Sequence, residues 1–383
     1  MERSETRQLV EAAHEAKRLG QRVALATVVR VRGNAYRRAG ASMLVREDGA
    51  QACMLSGGCL EPEVVESALD VIASGERSLR HYDLSEDTLW SLGIGCGGNV
   101  DILVERVTGD DVLEAWLSVL ERGESAVLVT PLTGAQGHLL VSSSGPPLGM
   151  LTRRGDVALG LMEAATRHAR SLLAQAEAYS GAATVSAEEF GEADLFFGVH
   201  QQSAKLVLFG AGHDAIPLAR LGDEFGYDVH VVDAREAYLT RGRFPAATRH
   251  LLAPEEFEDA VTSGALTFDA RTSAVVMNHH LARDRETLRV LLTLPAGYVG
   301  VLGPRTRFER MLDELRSEGF TPTSEALART RSPVGLHVGA ETPEEVALSV
   351  VAELMALRRG YEGGFLSGHA GKIHALPETS SVT

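Results

Sequence analysis

Lys205-Leu-Val-Leu-Phe-Gly-Ala-Gly-His-Asp-Ala215, answered further on by Tyr227-Asp-Val-His-Val-Val-Asp233, is the stretch that decides the fold. An apolar run opens onto Gly210-x-Gly212-x-x-Ala215. An amphipathic helix follows with Ile216, Leu218, Ala219, Leu221 and Phe225, and a second apolar run ends in an acid. That is the order of a dinucleotide-binding βαβ unit. Gly210 permits the tight turn, Gly212 and its neighbour His213 bring backbone to a pyrophosphate, and small Ala215 lets helix and strand pack closely. Asp233 stands where a carboxylate accepts hydrogen bonds from a ribose 2′-hydroxyl.

The alternation continues downstream, with apolar runs near 206–209, 229–232, 274–277 and 298–302 separated by helical segments. The expected fold class is α/β, with a Rossmann-like, doubly wound parallel sheet in the C-terminal half. Thr306-x-x-Glu309 and Thr342-Pro343-x-Glu345 each read as a capping box opening a helix. Upstream, helices are expected at 5–19, 62–74, 111–121 and 156–177. Strands are expected at 23–31, 42–45, 100–104, 126–130 and 138–142, with an apolar run at 195–199, which makes the N-terminal half a separate α/β domain. The expected domains are 1–200 and 201–360, joined at His200-Gln-Gln-Ser-Ala204 or, as the alternative, nearer residue 185. The small, polar, glycine-rich segment 361–383 is expected to be disordered. Residues 110–200 suggest no chemistry.

With 52 acidic against 37 basic side chains the formal net charge is −15, which disfavours binding to nucleic acid and to anionic membrane. No apolar run approaches the ~20 residues of a membrane span, and the N-terminus lacks an apolar signal segment, so the cytoplasm is the expected compartment. Three cysteines, Cys53, Cys59 and Cys96, are too few and too clustered for a disulfide framework.

Ligands in open α/β sheets bind beyond the carboxyl ends of the strands. Four places qualify: the Gly210 loop; Asp233 with Arg235; Asn278-His279-His280 with Asp284; and Gly303-Pro304-Arg305 with Arg307. His279 and His280 either relay protons or cap the strand end. Arg305 and Arg307 either hold a phosphate or carboxylate or are solvated helix residues. The N-terminal half offers Ser56-Gly57-Gly58-Cys59-Leu60-Glu61 ahead of a helix and Gly93-Ile-Gly95-Cys96-Gly97-Gly98 ahead of a strand. In each a thiol lies in backbone able to come close to a ligand, and a helix N-terminus favours negative charge on Cys59. The alternative for each is a small side chain that merely packs. Cys53, in an expected strand, reads as core. No CxxC spacing or histidine pair completes a structural zinc site.

Taken together, Tyr36-Arg-Arg-x-Gly40-Ala-x-Met43, Ser56-Gly-Gly-Cys-Leu-Glu61, Gly93-x-Gly-Cys-Gly-Gly98, Phe209-Gly-Ala-Gly-His213, Val232-Asp-Ala-Arg235, Arg243-Phe-Pro245, Gly300-x-x-Gly303 and Pro333-x-Gly-Leu-x-x-Gly-Ala340-x-Thr-Pro-Glu-Glu345 resemble the XdhC/CoxI family of xanthine dehydrogenase accessory factors. The resemblance implies an N-terminal XdhC/CoxI domain joined to a Rossmann domain, usually as a homodimer. It implies a maturation factor that binds the molybdenum cofactor, supports its sulfuration and delivers it to a molybdenum hydroxylase such as xanthine dehydrogenase, with a cysteine desulfurase as a further partner. Such a factor is an accessory chaperone rather than a catalyst. Asn278-His279-His280 departs from the Thr-His-Asp of many relatives, which puts an acid's role at 280 in doubt.

On that footing Cys59 and Cys96, soft thiols in glycine-lined loops, are candidate contacts to the molybdenum end of the cofactor. The crevice of Gly210, Gly212, His213, Asp233, Arg235, His279 and Arg305 is the candidate holder of its phosphate end, or of NAD or another nucleotide. The competing reading is an NAD-dependent oxidoreductase in which His279 or His280 moves a proton beside the hydride.

Overall fold

The computed structural model describes residues 3–33, 35–83, 98–108, 111–175, 177–187 and 190–368. Up to Gln202 they form one compact unit, and Ser203–Gly364 form a second. The loop around Cys96 and residues 369–383 of the tail lie outside the described residues.

In the first unit α1 (Arg3–Leu19) ends at Gly20, whose φ of 67° is left-handed backbone that glycine takes without strain. Five strands, β1 (Val23–Gly33), β2 (Ser42–Arg46), β3 (Gln51–Ala52), β4 (Ser78–Asp83) and β5 (Gly98–Val107), pair antiparallel in the order β3-β2-β1-β5-β4. Strand alternation turns Ala24, Ala26, Val28, Val100, Ile102 and Val104 to one face, where α2 (Glu61–Ser74) lays Val64, Ala68, Val71 and Ile72 on them. Val23, Leu25 and Leu44 face the other way, onto α1 and α3 (Val112–Arg122).

A second antiparallel sheet holds β6 (Ala126–Pro131), β7 (Gln136–Ser142), β8 (Leu148–Arg153), β9 (Asp156–Val157), β10 (Gly181–Ala187) and β11 (Gly191–His200), in the order β10-β11-β6-β7-β8-β9. It is covered by α4 (Leu159–Leu173) through Leu161, Ala165 and Ala169. The helix expected from 156 therefore starts later. Arg154 and Gly155 take φ of 53° and 92°, the paired left-handed residues of a two-residue hairpin, and they turn the chain from β8 into β9 first.

The second unit alternates strand and helix: β12 (Lys205–Phe209), α5 (Ala215–Glu224), β13 (Asp228–Asp233), β14 (Thr248–Leu251), α6 (Phe257–Thr262), β15 (Ser273–Val276), α7 (Leu281–Leu291), β16 (Tyr298–Val301), α8 (Arg305–Ser317), α9 (Ser324–Ala328), β17 (Thr330–Arg331) and α10 (Pro343–Arg358). The six strands are parallel in the order β14-β13-β12-β15-β16-β17, so the chain winds outward one way from β12 and then the other way from β15. That is the Rossmann order, with its reversal between β12 and β15. Both faces are buried, as a parallel sheet requires. Leu206, Leu208, Val229 and Val231 meet α5 and α10, while Val207, Phe209, Val276 and Val299 meet α7 and α8. The helix α5 comes so close that a Cβ on Gly222 would stand 2.8 Å from Leu206.

Of the two expected capping boxes one forms. Thr342 Oγ1 accepts from the Glu345 amide and Glu345 accepts from the Thr342 amide, at 3.3 and 3.0 Å. Such a cap contributes about 1 kcal/mol. Burial of Val350, Val351 and Leu354 contributes roughly 1.5–3 kcal/mol for each side chain, so docking rather than capping holds α10 in place. The box at Thr306 does not form: α8 starts at Arg305 with Pro304 as its cap, because the proline ring presets the turn directly after Gly303 and leaves Thr306 inside the helix. No helix among the described residues is long and apolar enough to cross a membrane.

Candidate functional site

The crevice at the strand-order reversal is built on Gly210. Its φ is 118°, and a Cβ there would lie 2.6 Å from the Met277 carbonyl oxygen, so only glycine lets the end of β12 approach the end of β15. Gly212 does not share the positive φ of Gly210 and has room: the nearest atom to a Cβ would be His279 Cδ2 at 3.8 Å. Arg243 Nη2 donates to the carbonyls of Ala211 and Gly212 at 2.7 and 3.2 Å, fixing the loop. Its guanidinium and that of Arg235 both stack on Tyr238, at 5.0 and 4.0 Å from the ring centre.

Asp233 is buried, and its carboxylate is already engaged. Oδ2 accepts from the Ala211 amide and Arg235 Nη2, each at 2.7 Å, and Oδ1 accepts from the Arg235 amide and Nε, each at 2.8 Å. A carboxylate offers about four lone-pair directions, and these donors take them. The acid expected to read a ribose instead ties the glycine loop to Arg235. Burial alone would push this carboxyl up. The hydrogen bonds from Arg235 and the Ala211 amide outweigh it and hold the group below its ordinary value.

A depressed folded-state pKa gives stability that is complete above the unfolded value of about 3.9 and is lost as pH falls through the folded value. Asp233→Asn is thus expected to cost about 1.5–3 kcal/mol at pH 7, where charged hydrogen bonds are lost. The gap to the parent chain should close as pH drops below about 4. Urea denaturation across that range measures it, and a gap independent of pH would refute the brace.

The other candidates sort by position. His279, at φ 56°, places Nε2 3.1 Å from Asp214 Oδ2 at the start of α5, which brings it to the glycine loop. His213 is exposed in that loop. His280 takes the local role, its Nδ1 accepting from the Arg283 amide at 3.5 Å as the cap of α7. Asp284 is fully buried and accepts from the Asn278 amide and side chain, both at 3.0 Å, and from Arg307. Burial pushes its carboxyl up against the pull of Asn278 and Arg307. Arg305 is exposed and pairs with Glu309 one turn along its own helix at 3.0 Å, so it is a solvated helix residue here.

In the first unit, Glu61 is buried at the start of α2 and organises the preceding loop. It accepts from the Leu55 and Ser56 amides at 3.1 and 2.8 Å and from the Ser56 hydroxyl at 2.5 Å. Ser56 Oγ in turn accepts from the Gly58 and Leu60 amides at 3.3 and 3.1 Å and from the Cys59 thiol at 3.3 Å. Among the described residues nothing lies within 4 Å of a Cβ placed on Gly57 or Gly58, and Gly58 has φ 106°. Cys59 is therefore a half-buried thiol on a glycine floor, held by Ser56. Cys96, Gly95 and Gly97 lie outside the described residues. Cys53 lies one residue past β3 rather than within a strand, donates to the Glu5 carbonyl at 3.3 Å, and has its thiol pushed up to about 11 by burial. Among the described residues no group of three or more His, Cys, Asp or Glu could hold a metal ion.

Sequence reasoning missed Arg243 as the clamp on the loop, Tyr238 between two arginines, and Arg283 on the crevice wall. Arg243 had a signal in Arg243-Phe-Pro245. The other two had none.

Fold and site together define a chain in which an α/β unit with two antiparallel sheets and a glycine-floored thiol precedes a Rossmann unit with a glycine-loop crevice. The chain belongs to the XdhC and CoxI family: residues 16–83 match that family and residues 206–354 match the XdhC Rossmann domain. It is 34% identical over 343 residues to a probable xanthine dehydrogenase subunit of Bacillus subtilis (strain 168), covering 88% of this chain and 93% of that protein. It is 25% identical over 354 residues to the molybdenum cofactor insertion chaperone PaoD of Escherichia coli (strain K12), covering 92% and 88%. A crystal structure described as a xanthine dehydrogenase from Bacillus halodurans superposes with a TM-score of 0.71 at 25% identity, covering 94% of this chain and 98% of that one.

Proposed function

We propose that the chain is a maturation factor that holds the molybdenum cofactor, supports its sulfuration and passes it to a molybdenum hydroxylase of the xanthine dehydrogenase type. Similarity to an insertion chaperone along 92% of the chain supports the role. The observation that carries it to particular residues is the Cys59 thiol, half-buried and pinned beside Gly57 and Gly58, against which no described residue packs. A soft sulfur donor there suits a molybdenum or sulfur centre. When bound, the cofactor supplies redox-active molybdenum on a sulfur-rich pterin.

The chain's own contribution is to bind and shield. Glu61 and Ser56 fix the direction of the thiol, and Gly212 leaves the backbone of the crevice approachable by a phosphate. A cysteine desulfurase as sulfur source and a second copy of the chain complete this reading. The oxidoreductase reading is weaker, because the four donors on Asp233 leave no acceptor free for the ribose of NAD.

The test is activation of a cofactor-free xanthine dehydrogenase-type client by Cys59→Ala and Cys96→Ala chains. Loss of the Cys59 thiol through packing alone costs on the order of 1 kcal/mol. A role in handling the cofactor predicts a drop in client activation of about tenfold or more, far beyond that loss of stability. Full activation by both variants would remove the thiols from the account.

A further inference from the structure

The closed state of Asp233 changes what the crevice can recognise. A small depression, open to solvent, lies at the carboxyl ends of β13, β14 and β15, lined by Asp233, Ala234, Ala253, Phe257, Arg283 and Thr287 among others. In a dinucleotide-binding unit this is the place for a ribose read by a free carboxylate. Here two carboxylates at that end of the sheet are neutralised from within, Asp233 by Arg235 and Asp284 by Arg307. Arg283, which lines the same pocket, makes no side-chain hydrogen bond or ion pair with the described residues. Arg235 Nη1 takes no part in the bonds to Asp233, so one edge of that guanidinium also stays open. With Asp233 paired to Arg235, the guanidinium of Arg283 is the charge in the lining that is left without a counter-charge among the described residues.

We infer that this pocket is a phosphomonoester subsite, with Arg283 as its specificity-determining residue and Arg235 acting from beside it by closing off the Asp233 carboxylate. It selects a ligand bearing a terminal phosphate ester, on a pterin side chain or on a nucleotide ribose, over the same ligand without that phosphate. This rests on the reading of the crevice as the holder of a phosphate-bearing ligand and names the group that is read. Arginine suits the task because its planar donor fork matches phosphate oxygens. A phosphate ester dianion also gains from a cation that has no internal partner to give up.

The experiment is calorimetric titration of the full chain with two matched pairs: NADP⁺ against NAD⁺, and a pterin with a side-chain phosphate against its phosphatase-treated product. In at least one pair the phosphorylated member is expected to bind about tenfold tighter or better. The pair that shows the difference identifies the source of the phosphate. Arg283→Gln breaks no internal bond, so it should fold as the parent does and abolish the preference. Arg235→Gln frees the Asp233 carboxylate and should move any nucleotide preference toward NAD⁺. Equal affinity within both pairs, no binding by any of the four, or a preference that survives Arg283→Gln would overturn the inference. If the preference holds while the chain retains no molybdenum, the failure belongs to the cofactor-handling reading. If molybdenum is retained without the preference, the failure belongs to this subsite.

Discussion

Arg307→Met is expected to lower the unfolding free energy by about 3–5 kcal/mol, the usual cost of leaving a buried carboxylate without its cation. Asp284 is fully buried, and in the parent chain its second oxygen is met by Arg307 while the first is met by Asn278. Burial already pushes this carboxyl up, and removing the guanidinium pushes it further. A raised folded-state pKa means that the native state binds the proton more tightly than the unfolded chain. The penalty is therefore full above the folded value and relieved as pH falls through it. Chemical denaturation at several pH values measures both effects, and the double variant Asp284→Asn with Arg307→Met should recover much of the loss. A loss under about 1 kcal/mol at pH 7 would place the pair among ordinary surface bridges.

Gly210→Val should prevent the Rossmann unit from folding, whereas Gly212→Val should leave it folded and remove its ligand. At Gly210 a side chain meets the Met277 carbonyl at 2.6 Å in left-handed backbone, so two costs coincide and the total exceeds about 4 kcal/mol. At Gly212 a side chain finds room, but that room is where a phosphate must approach the loop. The expected result is a Gly212→Val chain with the parent's melting temperature and phosphate-ligand affinity reduced by roughly a hundredfold, on the order of 3 kcal/mol. Parental affinity in that variant would move the site away from the loop.

Much of this fold is legible in the residues because the signals are local. From Lys205 to Asp233 a continuous apolar run gives way to a period of 3.6 and then to a second apolar run, and Gly210 punctuates the change, so strand, turn and helix follow without any distant contact. Edge strands β14 (Thr248–Leu251) and β17 (Thr330–Arg331) give no such signal, being four and two residues long. Gly222 shows the same limit from the packing side: its need for glycine comes from Leu206 and Val229, which only the folded sheet brings against it. For the site, the sequence identified the strand ends and left the direction of each side chain open. Asp233 and Arg235 read as two independent ligand contacts, yet two residues apart at a strand end they close on each other. Arg243 reaches the glycine loop across 32 positions of chain, and no spacing rule anticipates that contact.

The most direct measurement of the central claim is the cofactor content of the chain itself. The full-length protein would be purified without oxygen from cells that make the molybdenum cofactor, passed over gel filtration, and assayed for molybdenum and for oxidised pterin. The account predicts both, in equal amounts and coeluting with the chain, and a marked loss of both from the Cys59→Ala protein, whose melting temperature should fall by no more than about 2–4 °C. A folded chain that activates its client yet carries neither molybdenum nor pterin would contradict it.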